Sequence, residues 1–130
     1  MIEREKIIKT YFESWLNNYV SILENIFDSE IIYSECYGPE YHGIEIIKRW
    51  FEDWHEQGQV LIWDIKQFIH EANISVVEWH FKCEYNREIG EFDGISLIEF
   101  NDINKIVSIK EFQSKIPHYY PYNSYCNMTP

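Results

Sequence analysis

Basic residues are scarce in this chain: 11 Lys and Arg stand against 22 Asp and Glu in 130 residues, a formal charge of -11. So acidic a chain, with no stripe of Lys or Arg, repels phosphate, and this excludes double-stranded nucleic acid and anionic membrane surfaces as natural partners. Cysteine is sparse as well. Cys36, Cys83 and Cys126 are odd in number, widely spaced and outside any C-x-x-C pattern, so they read as reduced thiols rather than a disulfide frame or a zinc site. With only 5 Gly and 4 Pro the chain is neither disordered nor fibrous in composition. No apolar run approaches the ~20 residues that span a bilayer, and the opening Met1 to Lys6 is charged, without the apolar stretch of a signal peptide. A cytoplasmic protein is the expectation. The glycine patterns of phosphate-binding loops and dinucleotide folds are missing, and so is G-x-S-x-G, which leaves nucleotide and serine-hydrolase chemistry without a motif. His42, His55, His70, His80 and His118 have no helical ligand spacing, so neither a metal nor a cofactor is expected.

What the chain does have is apolar and aromatic mass: 45% hydrophobic residues and 18% aromatic ones, including 5 Trp, 10 Tyr and 8 Phe. At this length one domain can bury roughly two-thirds of its unfolded surface and needs no disulfide or metal to hold a core. Ile7, Ile8, Tyr11, Phe12, Trp15, Leu16 and Tyr19 follow a 3.6-residue period and predict an amphipathic helix, broken at Asn17-Asn18 and followed by a shorter helix over Val20 to Phe27. Ile31 to Tyr37 is β-branched and aromatic, a strand stopped by Gly38-Pro39, with Glu40 to His42 as a loop. Ile47, Trp50, Phe51 and Trp54 mark a third helix, which Gly58 is expected to end in the left-handed region. Four strands then follow over 60–69, 74–85, 91–101 and 106–114, joined by short polar segments that suit antiparallel hairpins.

The order α-α-β-α-β-β-β-β, with helices segregated from one sheet, predicts an α+β fold of two layers. In it a curved antiparallel sheet carries three N-terminal helices on its concave face, forming a cone with room for a pocket. Residues 1–116 form this domain and 117–130 a tail rich in Pro and Tyr. Several stretches carry a family resemblance: Tyr33-x-Glu35-x-Tyr37-Gly38-Pro39-x-Tyr41-x-Gly43, Trp50-Phe51-x-x-Trp54-x-x-x-Gly58-x-Val60, Val77-Glu78-Trp79-x-Phe81, Phe92-x-Gly94-x-Ser96 and Lys105-Ile106-x-x-Ile109-x-Glu111-Phe112. Together they resemble the SnoaL-like members of the nuclear transport factor two-like superfamily over about residues 5 to 115. The resemblance implies the cone fold and a set of chemistries that includes isomerases, cyclases, dehydratases, epoxide hydrolases and non-catalytic binding or oligomerisation modules. SnoaL-like cyclases carry an Asp near the end of the last strand, where this chain has Ser114, and a serine cannot replace a carboxylate base.

Four carboxylates, Glu35, Glu78, Glu99 and Glu111, fall inside strand patterns among apolar neighbours. Two such groups sharing a dry hollow would have their proton affinities pushed apart, which makes an acid/base pair. Glu35, Glu78 and Glu111 are the candidates for this work. His80 joins them because it lies two residues from Glu78 on one strand face. Which face is concave is left open by the alternation alone. Tyr33, Tyr37, Trp50, Trp54, Trp63 and Trp79 are the candidate pocket lining, serving core and pocket wall alike, and a small apolar or aromatic ligand suits them. Two functions compete: a small-molecule binder or cofactor-free enzyme, and a non-catalytic interaction module. Apolar residues occur on both strand faces, Val60, Ile62 and Phe68 against Leu61, Trp63, Ile65 and Ile69, so a second copy is expected to cover the outer one as a homodimer.

Overall fold

The computed structural model describes residues 2–122. The tail beyond, with Cys126, lies outside the described residues. Helix α1 runs Ile2–Asn17. It ends where Asn18 takes a left-handed φ of 53° and the Tyr19 N–H reaches back to the Ser14 carbonyl at 2.9 Å, the six-to-one bond that satisfies a helix C-terminus. The expected second helix is a single turn of 3-10 helix, Val20–Ile22, passing into α2, Leu23–Ile26. Phe27 already belongs to strand β1, Phe27–Ser34. Glu40–His42, expected as a loop, is a short strand β2 antiparallel to β1. Helix α3 spans Ile44–Gln57 and buries Ile47 and Phe51.

Gly58 does not end α3 in the left-handed region: its φ is -136° and strand β3, Gly58–Glu71, starts at once. Here glycine answers a need for space, since a Cβ would stand 2.7 Å from the Tyr85 ring and 3.0 Å from the Trp54 ring. Strands β4, Ile74–Tyr85, β5, Glu88–Phe100, and β6, Ile106–Ser114, complete the sheet. Asn86 and Arg87, at φ 50° and 68°, make the two-residue turn between β4 and β5, whose double left-handed backbone matches the twist of a hairpin.

The spatial order is β2-β1-β6-β5-β4-β3. The pairs β3–β4, β4–β5 and β5–β6 are antiparallel, as the short connections required. Strand β1, however, runs parallel to β6, so the sheet is mixed, where hairpin logic alone had given an antiparallel one. The chain can make this pair because the whole of the rest of the fold serves as the crossover that parallel strands need. Three helices pack on the curved, unclosed sheet. Ile8, Tyr11, Phe12 and Trp15 of α1, Ile47 and Phe51 of α3, and Val60, Trp63, Val77, Trp79, Ile98 and Ile109 of the sheet form one buried cluster between the layers. No described helix is long and apolar enough to cross a membrane.

Candidate functional site

A cavity opens where α1 and α3 diverge from the sheet. The space open to the centre of a water molecule is about 80 Å³, in a cavity that is open on one side. Its lining includes all five tryptophans of the chain, Trp15, Trp50, Trp54, Trp63 and Trp79. Trp15 comes from α1, Trp50 and Trp54 from α3, and Trp63 and Trp79 from neighbouring strands. Their rings lock one another. Trp15 lies 4.9 Å from Trp50 and 5.4 Å from Trp54 between ring centres, and Trp63 meets Trp79 edge to face at 5.8 Å. Phe12 stacks on Trp63 at 3.9 Å from behind. Gly94 makes room for Trp79: a Cβ there would come within 2.5 Å of the Trp79 ring and of the Phe112 carbonyl.

Two carboxylates enter this aromatic wall. Glu111, from β6, accepts a hydrogen bond from the Tyr33 hydroxyl at 2.6 Å. Glu35 follows β1 directly and accepts one from the Tyr41 hydroxyl at 2.7 Å. The turn Glu35 to Pro39 fixes it, with the Glu35 N–H donating to the Pro39 carbonyl at 2.9 Å, and Tyr41 is itself stacked on Trp50 at 4.4 Å. Burial raises the Glu111 carboxyl to a pKa of about 8; the Tyr33 hydroxyl works against this and the Glu35 charge adds to it. Burial also lifts Glu35, with the Tyr41 hydrogen bond opposing. Desolvation disfavours a charge and an adjacent like charge does the same, so one of the pair holds its proton at neutral pH. The Tyr33 hydroxyl is held far above its usual range by burial and then by the Glu111 charge, so it acts as a donor and not as an ionised base.

Strand alternation settles which face is concave, and it divides the sequence candidates. Trp79 is buried and Phe81 and Cys83 lie on the same side, all three lining the cavity. Glu78 and His80 therefore project from the opposite, outer face. They are not brought together. Glu78 accepts from the Gln67 amide at 2.7 Å, whereas His80 lies between Asp93 at 2.7 Å and Glu91 at 2.8 Å. The hydrogen bond to Asp93, more than that to Glu91, raises the His80 pKa. Glu99 is on the outer face too, within reach of Asn73 and Ser108. Tyr33, Tyr37, Trp50, Trp54, Trp63 and Trp79 all line the cavity, Tyr37 at its rim with 61% of its surface exposed.

Sequence reasoning missed Trp15, Cys36, Cys83, Phe81 and Phe92 as lining, and Tyr41 as the partner of Glu35. The period-two pattern running from Trp79 carries the signal for Phe81 and Cys83 once Trp79 is known to face inward. Cys36 is no nucleophile in waiting, because burial first, and then the Glu111 charge, pushes its pKa up to about 11. Among the described residues no group of three or more His, Cys, Asp or Glu converges as a metal set. Ser75, His70 and Glu5 do stand in line, at 2.7 and 2.9 Å, in the order of a nucleophile relay. Ser75 is fully buried, so the arrangement ties α1 to the β3–β4 hairpin and offers nothing to a substrate.

A family profile described as a SnoaL-like domain matches residues 8–109. The chain belongs to that SnoaL-like family. Its matched span runs from α1 into β6 and takes in all five tryptophans and Glu35, stopping two residues before Glu111. Similar solved structures extend the likeness in fold. An LEH-like epoxide hydrolase of M. tuberculosis superposes with a TM-score of 0.77 at 9% identity, over 87% of this chain and 84% of that one. A hypothetical protein of Catenulispora acidiphila with a ketosteroid isomerase-like fold, solved in complex with trimethylamine, gives 0.73 at 14% identity over 82% and 83%. An NTF-2 like protein of unknown function from Burkholderia xenovorans gives 0.72 at 15% identity over 98% and 94%. Identities this low establish the shared SnoaL-like architecture and leave the chemistry to the site itself. A comparison with curated proteins yields no match.

Proposed function

We propose that this SnoaL-like domain binds a small molecule with a flat apolar body in the tryptophan-lined cavity and acts on it as a cofactor-free acid–base catalyst of the isomerase, cyclase or dehydratase type. One observation carries the reading: Glu35 and Glu111 share one aromatic cavity, each held by a tyrosine hydroxyl. Glu111 keeps its proton near neutrality and serves as acid, with Tyr33 fixing its orientation. Glu35, at the more open end of the pair, serves as base. Proton removal next to a carbonyl and its return at a second atom need only such a pair and a dry wall. Trp63 adds a buried indole N–H with no acceptor among the described residues, and a ligand oxygen would supply the partner it lacks. The test is exchange of carbon-bound hydrogen for deuterium in a panel of small cyclic ketones, followed by proton NMR in heavy water. Wild type should accelerate exchange for at least one ketone, Glu35→Gln should remove the acceleration and Glu111→Gln should weaken it. Equal rates for wild type and both variants count against catalysis and favour a binding role.

A homodimer is the second reading, and the outer sheet face favours it. Ile95 and Leu97 on β5, Phe112 on β6 and Ile32 on β1 are 37 to 47% exposed on adjacent strands, and Ile95 stands opposite Phe112 in the pairing. An apolar patch of this kind on a sheet is covered by a second copy through a two-fold contact. Light scattering that gives the mass of a single chain at micromolar concentration and above counts against it.

A further inference from the structure

The cavity wall holds two carboxylates and, among the described residues, no cationic side chain. No Lys, Arg or His lines it, and neither Glu35 nor Glu111 enters an ion pair among the described residues. Both carboxylates rely on tyrosine hydroxyls for their hydrogen bonds. Around them stand the rings of five tryptophans with Tyr33, Phe81 and Phe92. The face of an aromatic ring is its negative side and the edge its positive side. Two of the indoles have their positive N–H ends engaged inside the protein, Trp79 with Ser96 and Trp15 with Tyr11, each at 2.9 Å. The cavity thus offers a visitor carboxylate charge and ring faces, with the Trp63 N–H as an unpartnered donor and no cationic side chain among the described lining residues.

Building on the reading of the cavity as a small-molecule site, we propose that its ligand is a small organic cation, a protonated or quaternary amine whose nitrogen sits among the tryptophans and beside the Glu35 and Glu111 pair. An anion meets the Glu35 charge and no counter-charge. A neutral body gains the apolar contacts but leaves that charge uncompensated. A cation gains from both, since a ring face attracts a desolvated ammonium by up to about 2 kcal/mol. The overall charge of -11 also raises the concentration of cations near the mouth. Binding has a second signature. A positive charge beside Glu111 favours its ionised form, so the proton that Glu111 holds in the empty cavity leaves when the cation arrives, and toward such a ligand Glu111 is a counter-ion and not the acid.

Isothermal titration calorimetry near neutral pH, in two buffers of different ionisation heat, tests this. The probes are tetramethylammonium, choline and benzyltrimethylammonium, set against dimethylbutanol, in which carbon replaces the choline nitrogen. At least one cation should bind about tenfold or more tightly than dimethylbutanol. Its binding heat should depend on the buffer, which reads proton release. The double variant Glu35→Gln with Glu111→Gln should lose both the preference and the proton release while still binding dimethylbutanol. If the double variant does not fold by circular dichroism, Glu35→Gln alone should cut cation affinity about threefold or more and leave dimethylbutanol unchanged. Equal or tighter binding of the neutral probe overturns the cation assignment and leaves the small-molecule reading standing. Failure of all four probes to bind at millimolar concentration overturns both.

Discussion

Replacing Glu111 by Gln should spare the protein most of the stability it loses as pH rises from about 5 to about 8. In the folded chain burial holds the Glu111 carboxyl to a pKa of about 8, against a reference of 4.5. The folded state therefore binds this proton more tightly than the unfolded state does. Its contribution to stability is complete below the unfolded pKa and drains away as pH rises through the folded one. At about 1.4 kcal/mol for each tenfold change in proton affinity, the gap sets a ceiling of roughly 5 kcal/mol. The cavity is open on one side, and water reaching the ionised carboxylate reduces that figure to about 2–3 kcal/mol, or roughly 10 °C in melting temperature for a domain of this size. Gln keeps an oxygen to accept the Tyr33 hydrogen bond and has no proton to lose. Thermal melts from about pH 5 to about pH 9 should show wild type falling more steeply than Glu111→Gln, whose remaining slope comes from Glu35 and His80, the two meeting in acid within about 1 kcal/mol. Parallel curves would refute the buried-acid account. So would a variant that is destabilised equally at every pH, which would make Glu111 a structural partner of Tyr33 and nothing more.

Three further outcomes are open to the same melts. Gly94→Ala should cost about 2–3 kcal/mol because its Cβ has nowhere to go between Trp79 and the Phe112 carbonyl, whereas Gly90→Ala, which meets only the Cys83 sulfur at 3.5 Å, should stay within about 1 kcal/mol of wild type. Ser96→Ala should cost about 1–3 kcal/mol by leaving the Trp79 N–H buried without an acceptor; a neutral result would show that the ring finds another partner. His80→Ala should leave binding in the cavity untouched, since His80 is on the outer face. Asp93 and Glu91 raise the His80 pKa, so the stability it contributes is present below the unfolded pKa and lost as pH rises through the higher folded one. The gap between wild type and His80→Ala should accordingly be widest in acid and close toward alkaline pH.

The layers of the fold were legible because hydrophobic period is local: the spacing of Ile47, Trp50, Phe51 and Trp54 defines the α3 face whatever lies opposite. The parallel pairing of β1 with β6 was not legible, because nothing in either strand encodes a partner some 78 residues away. The same limit governs the site. Alternation puts Glu78 and His80 together and Trp79 and Phe81 together, but the choice of inner face depends on which set the helices cover. Of the carboxylates that the strand patterns nominate, Glu35 and Glu111 line the cavity and Glu78 does not. The mixed character of the lining, core for one ring edge and pocket for the other, has a similar origin. Trp63 packs on Phe12 on one side and borders the void on the other, and a single sequence position cannot report both.

The parallel β1–β6 contact also sets when the pocket comes into being. Glu35 leaves the first strand of the chain and Glu111 sits in the last, and the Tyr33 to Glu111 hydrogen bond joins residues 78 positions apart. The β3, β4 and β5 hairpins can assemble from neighbours in sequence, while β1 must wait with one edge unpaired until β6 arrives, and contacts of such long range form slowly. Until then the cavity has its tryptophans but not its acid pair. Its chemistry is a property of the finished chain, and any change that weakens the β1–β6 seam should disable the site before it dissolves the hairpins.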